Sequence, residues 1–593
     1  MGQKKLNSNP ITRNQNLRIL LSIFGVLAST IFANSCANFP ADPVITPTTK
    51  PLAIPATVKP SETPIPTATI SIPDPPYLTW LDPDLPQQIK EQLPQYDFLS
   101  LGSQDASAQI SLSLNPGDEA GSWLYLAVAP FYSFLDNLRS ADLKACWSTG
   151  PDETLPFSHL LVTEDTIEAI EYLWGPPTQG CIKKTNLDDL SDNLWVEKDA
   201  VAILPFEMIE PAYKILSVDG EDPLAEDYNQ EQYPLIIQIY YQVSPGYQIK
   251  LNEEQYLTNF APSKLSSVAL TGVTALVRDT ANIMENLGVT YPAGDIKDIL
   301  SRADITHVNN EVPFAEDCPV PEPYQVSLRF CSADRYLQLL ESVGTDIVEL
   351  SGDHFGDWGP EAMLHTLELY RQKGWSVYGG GETLADGLAP VYITHNGNRF
   401  AFIGCNAKGI DRYATATENN PGAAQCNFSY MTSEIARLNS EGYIVIATMQ
   451  HEEIDGFGSI SLQQYDFRRL AEAGAVIVSG SQSHHPQAIE YTGSSFIHYG
   501  LGNLFFDQWH LAQVNPRDHI NKDKSFIDLH FFYNGEYIGT RLITLQFIDN
   551  ARPRPMTLEE RTGFLNEFYI YSLWNEEKIY RFSSGLMLDR MDQ

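Results

Sequence analysis

The chain has 593 residues, 43% of them hydrophobic and 11% aromatic. That is a globular composition too long for one compact core, so two or more domains are expected. Its 38 basic against 75 acidic side chains leave a formal net charge of −37, a field that repels phosphate backbones and argues against nucleic acid as a partner.

At the N-terminus, Lys4, Lys5, Arg13 and Arg18 precede the apolar run "ILLSIFGVLASTIFA". The run suits a signal peptide and is short for a membrane span. Small residues and then Cys36 follow. Residues 1–36 resemble a bacterial lipoprotein signal, which implies an acylated Cys36 and an extracytoplasmic protein anchored to the cell membrane by lipid. Asn34-Ser35 departs from that pattern, and a plain secretory signal is the other reading. Residues 37–76 are rich in Pro and Thr with no apolar period, and read as an extended tether. Setting Cys36 aside, six cysteines remain in three close sequence pairs: Cys146 with Cys181, Cys318 with Cys331, and Cys405 with Cys426. Local disulfides in an oxidising compartment are expected, and no CxxC spacing points to a zinc cluster.

Residues 77–262 form the first globular region. "SWLYLAVAPFYSFLDNLRSADLKACWSTG" pairs a buried-strand pattern with a helix start at Ser140 and Asp142. "DAVAILPFEMIEPAYKILSVDGEDPL" supplies two strands and the turn signal Asp219-Gly220. Strands alternating with helices indicate an α/β fold. Both stretches resemble bacterial solute-binding proteins of the phosphate type. The Ser/Thr-rich loops that cradle an oxyanion are not identifiable, so a spacer or docking domain stands beside a ligand-binding one.

Residues 263–548 form the second region. "VALTGVTALV" is an apolar strand with a Gly-containing break, and "ADITHVNNEVPF", "GTDIVELSGDHFGDWG", "NRFAFIGCN", "GYIVIATMQHEE" and "AGAVIVSGSQSHHPQAIEY" each carry a strand with polar residues just past its C-terminal end, where α/β proteins place ligands. The tail, 549–593, has a capping-box spacing at Thr557 and Glu560.

In this order the landmarks resemble the CapA family, named for poly-gamma-glutamate capsule synthesis. The matching residues are Gly272, Asn310-Glu311, His354 with Asp357 and Gly359, Thr366-Leu367, the Gly379–Gly381 run, Glu453, Gly474-Ala475, Gly480, His484, Gln487, Glu490 and "YGLGNLFFD". The resemblance implies a two-sheet α/β sandwich similar to the calcineurin-like metallophosphatases, with a metal site on loops at strand ends. The sequence departs from the family at that site. Val273 follows Gly272 where the family has Asp, Gly352-Asp353 stands for Asn-Asn, and Met449 falls at a His position with His451 two residues on. The loop Gly480-Ser481-Gln482-Ser483-His484 keeps only its last His.

A two-metal hydrolase needs several hard or imidazole ligands to hold two cations and activate water. Glu311, Asp353, His354 and His484 are the candidate metal ligands, for manganese, zinc or iron. Glu453 and His484 are the candidate catalytic groups. Asn310, His451 and Ser481 are further candidates. Asp357 either caps the following helix or faces the site, and Asn503 either holds a turn or faces it. His485 and His498 read as structural. Two functions stay open: a metal-assisted hydrolase or transferase acting on an envelope polymer or oligopeptide, and a non-catalytic envelope protein that binds polymer or a partner.

Overall fold

The computed structural model describes residues 70–102, 105–197, 199–409, 414–508 and 521–572. The export signal, Cys36, the tether up to residue 69 and the end of the tail lie outside the described residues. Among the described residues no helix is long and apolar enough to cross a membrane.

The first region is built on an eleven-stranded mixed sheet. Its axis is the strand Asp118–Pro130, buried continuously from Ala120. That run is unbroken rather than alternating because both faces of the strand are covered. The helix Ser140–Thr149 starts where Asp219 Oδ1 accepts from the Ser140 amide at 2.9 Å. The helix Glu164–Trp174 is capped by Thr163, whose hydroxyl accepts from the Thr166 amide.

The second region is an α/β sandwich of two stacked sheets. In the nine-stranded sheet, Ser376–Tyr378, Ile347–Glu349, Ile305–Asn310 and Leu265–Thr271 run parallel. The hairpin Lys524–Tyr533 and Glu536–Phe547 extends it antiparallel. In the six-stranded sheet, Asn398–Asn406, Ile444–Gln450, Ile477–Ser481 and Ser495–Leu501 are parallel. Val268, Leu270, Ile305 and Ile347 from one sheet meet Phe400, Phe402, Ile446 and Phe496 from the other in the central core. Helices Arg278–Leu287 and Pro360–Lys373 cover the outside of the first sheet. Helices Phe428–Ser440 and Ser461–Glu472 cover the second. Parallel strands bring their C-terminal ends to one edge, so this arrangement gathers the polar loops.

The three cysteine pairs are all closed as disulfides. His498 works inside the sandwich: its Nδ1 lies 2.6 Å from Asp528 Oδ2 on the opposite sheet, both side chains being almost wholly buried. The tail helix Leu558–Phe568 has its capping box, with Thr557 and Glu560 bonding reciprocally. Its Phe564, Leu565 and Phe568 join the sandwich core.

The two regions share their interiors. Phe531 and Ile538 of the hairpin belong to the first region's core, while Phe131 and Trp195 of the first region belong to the sandwich core. Arg561 pairs with Asp136 and Arg541 with Asp222 across the junction.

Candidate active-site cleft

The strand Ile305–Asn310 ends at a buried Glu311. Its neighbour Ile347–Glu349 leads into Ser351, Gly352, Asp353 and His354. Gly352 allows that loop to lie on the first strand's end, since a Cβ there would sit 2.8 Å from Glu311 Cα. Ligand atoms of Glu311, Asp353 and His354 lie within 4.8 Å of one another.

From the facing sheet come Gln450, Gln482 and Lys408. Gln450 Nε2 donates to Glu311 Oε1 at 3.0 Å and to Asp353 Oδ1 at 3.1 Å. Lys408 Nζ donates to Asp353 Oδ2 at 2.5 Å. The Gln482 amide, turned so that its oxygen faces Lys408, accepts from that ammonium at 2.6 Å and donates to Glu311 at 3.2 Å. Gln482 and His484 both have positive φ, +94° and +58°. A non-glycine residue in that region costs about 1–3 kcal/mol, and such strain collects at functional sites.

The charges in the cleft act on one another at short range. Burial raises the Glu311 carboxyl, with Asp353 adding to the effect and His354 opposing it. Burial also pushes Asp353 up, but His354 and Lys408 outweigh it and hold Asp353 below its usual range. Of the two carboxyls, Glu311 therefore keeps the proton. His354 Nδ1 is 2.8 Å from Asp357 Oδ2. Burial works against the imidazolium, yet Asp357, Glu311 and Asp353 together raise its pKa to about 9. His484 is the opposite case. Burial lowers it well below 6.5, and its Nδ1 meets Asn503 Oδ1 at 3.0 Å. With that oxygen accepting, Nδ1 carries the hydrogen and Nε2 keeps its lone pair.

Several candidates read from the sequence are placed differently. Asp357 does not cap the helix Pro360–Lys373, whose N-cap is Gly359 without a side-chain bond; it orients His354 instead. Asn503 meets His484. His451 turns away from the cleft. Strand periodicity puts Met449 on the helix-facing side and Gln450 on the cleft side, and His451 Nε2 lies 3.0 Å from Asp466 Oδ2 on the helix Ser461–Glu472. Glu453 is 42% exposed and pairs with Lys522 at 3.3 Å, with no contact to His484 among the described bonds. Ser481 accepts from Asn309 at 3.3 Å, and Asn310 donates to Tyr370 OH at 2.8 Å. Gln487 accepts from Gln463, and Glu490 accepts from Arg468 and Tyr499, so these matched residues brace a helix.

Lys408, Gln450, Gln482 and Arg278 were missed in the sequence. Lys408 stood two residues past a strand end, the placement that singled out the other polar groups. Arg278 lies over the Phe330 ring at 4.6 Å, at a positive φ of 49°.

By spacing, Glu311, Asp353 and His354 are compatible with one divalent cation. They do not suit a pair. Val273, at the position expected to carry the first Asp, is buried in an apolar cluster, and amides stand at Gln450 and Gln482.

Residues 267–508 match the model of a family described as bacterial capsule synthesis protein PGA_cap. A capsule biosynthesis protein CapA of Bacillus anthracis is 24% identical over 298 residues, 49% of this chain and 69% of its own length. The PGA biosynthesis protein CapA of Bacillus subtilis is 24% identical, the match covering 41% of this chain and 64% of its own length. Among solved structures, an NAD nucleotidase of Haemophilus influenzae aligns over 55% of this chain and 60% of its own, at 10% identity and a TM-score of 0.28. A phosphate transport receptor of Vibrio cholerae aligns over 30% and 89%, at 12% identity and a TM-score of 0.22.

Proposed function

Since residues 267–508 belong to the bacterial capsule-synthesis family, we propose that this chain acts outside the cytoplasm in the assembly or retention of an extracellular polymer of the poly-gamma-glutamate kind, held to the cell membrane through Cys36. The cleft binds polymer and does not cut it with a pair of metals. The observation that carries this reading is the composition of the strand ends. Val273 and Gln482 stand where a metal pair needs anionic or imidazole ligands, and Gln450 sets an amide against both carboxylates. Lys408 and Lys522, paired with Asp353 and Glu453, bring two ammonium groups to the cleft of an otherwise acidic protein, and these can be offered to the carboxylates of an acidic polymer.

The test is genetic and chemical. A strain lacking the chain should lose cell-attached polymer, and a chain carrying Asp353→Asn with His484→Ala should fail to restore it. Unchanged polymer in the deletion strain refutes the reading.

A second reading rests on the spacing of Glu311, Asp353 and His354. One manganese, zinc or iron ion held there would polarise an ester or amide carbonyl. His484, neutral with a bare Nε2, would accept a proton from attacking water. Metal-dependent turnover of ester or gamma-glutamyl amide substrates, lost with His354→Ala, would establish it; absence of turnover with all three metals would remove it.

A further inference from the structure

We propose that the Lys408 ammonium is the resident cation of the cleft: held on Asp353, it takes the carboxylate oxygen that a divalent ion would need and keeps the Glu311–Asp353–His354 cluster closed to metal. The inference goes beyond polymer binding and stands or falls without it.

A metal needs lone pairs converging on one point. Glu311, Asp353 and His354 have the spacing for that. Three of their four carboxylate oxygens are already engaged. Asp353 Oδ2 accepts from Lys408 Nζ at 2.5 Å. Asp353 Oδ1 and Glu311 Oε1 both accept from Gln450 Nε2. Of the four carboxylate oxygens only Glu311 Oε2, fully buried, has no partner. An incoming ion would have to displace N–H donors and sit against a like charge.

Lys408 is carried on a turn that is tied to the site residues. The Lys408 amide donates to Asn406 Oδ1 at 3.0 Å, and the Ala407 amide to the Gln450 carbonyl at 2.7 Å. Asn406 Nδ2 in turn donates to Gln450 Oε1 at 2.6 Å and to the Ser351 carbonyl at 2.9 Å. The same side chains thus orient both the ammonium and the amide that faces the carboxylates. An amide in place of imidazole at Gln482 is consistent with this: it can pair with the ammonium through its oxygen and with a carboxylate through its nitrogen. A site so equipped recognises hydrogen-bonding groups, an amide or a carboxylate, without Lewis-acid help.

The experiment is equilibrium dialysis of the full chain against manganese and zinc, with bound metal read by elemental analysis. Wild type should bind no ion at the cleft. Lys408→Met should gain one equivalent that wild type lacks under the same conditions. Lys408→Met with His354→Ala should lose it again. Stoichiometric metal in wild type at the variant's affinity overturns the proposal, and so does a folded Lys408→Met that binds none. Should the variant not fold, amine labelling of Lys408 in wild type decides. A labelling rate unchanged by zinc supports the resident ammonium; a rate that rises with zinc shows displacement and overturns it.

Discussion

His354 is held as an imidazolium by a carboxylate three residues further on, and removing that charge should be measurable. The imidazole is mostly buried, with 22% of its side chain exposed, and its Nδ1 lies 2.8 Å from Asp357 Oδ2. Burial alone would lower its pKa; Asp357 first, then Glu311 and Asp353, raise it from 6.5 to about 9. That difference corresponds to about 3 kcal/mol. Because the folded pKa lies above the unfolded one, this stability is fully present below pH 6.5 and is lost as pH rises through 9. Asp357→Asn keeps the shape and an acceptor for the Phe330 amide (2.8 Å) but removes the charge. A charge-assisted bond exceeds a neutral one by about 1–1.5 kcal/mol, so the midpoint should drop by about one unit, toward 8. Histidine C2-hydrogen exchange read by mass spectrometry, in chelator, reports the titration of His354 residue by residue. Urea unfolding at pH 6.5 and 9 should show a smaller loss of stability in the variant. A wild-type midpoint at or below 6.5, or no shift in the variant, would refute the reasoning.

His530, buried between the sheets, is depressed by burial to about 4, so stability should fall as pH drops from 6.5 through 4, by up to about 3 kcal/mol. His530→Gln, which can still reach Thr540, should flatten that acid limb in urea titrations, and parallel limbs would exclude the assignment. Reducing Cys405–Cys426, which spans 21 residues, should cost about 3 kcal/mol by loop entropy, seen as a lower urea midpoint in Cys405→Ala with Cys426→Ala. Val273→Asp should not restore a metal pair. It should bury an uncompensated carboxylate among Ala275, Val312 and Phe506 and lower stability by roughly 3 kcal/mol or more; a stable, metal-loaded variant would contradict the geometry.

The strands of the second region were legible because polar residues repeatedly follow apolar runs, and parallel sheets bury both strand faces. The cleft was half legible for the same reason: Glu311, Asp353, His354 and His484 each stand past a strand end. What sequence spacing cannot supply is which of two alternating neighbours faces the cleft. Met449 drew attention through its aligned position, yet Gln450 is the residue that touches Glu311 and Asp353. His451 was read with Met449's face, and that face belongs to the helix layer. Lys408 was missed because a lone lysine after a strand resembles any solvated charge until its partner on the facing sheet is known.

The exchange of aromatic residues between the two interiors bears on how the chain can be divided. A cut between residues 262 and 263 would strip Phe531 and Ile538 of their surroundings on one side, and Phe131 and Trp195 on the other. It would also leave Arg541 and Arg561 without Asp222 and Asp136. Neither fragment would close on itself, so the halves should be recovered soluble only when co-expressed.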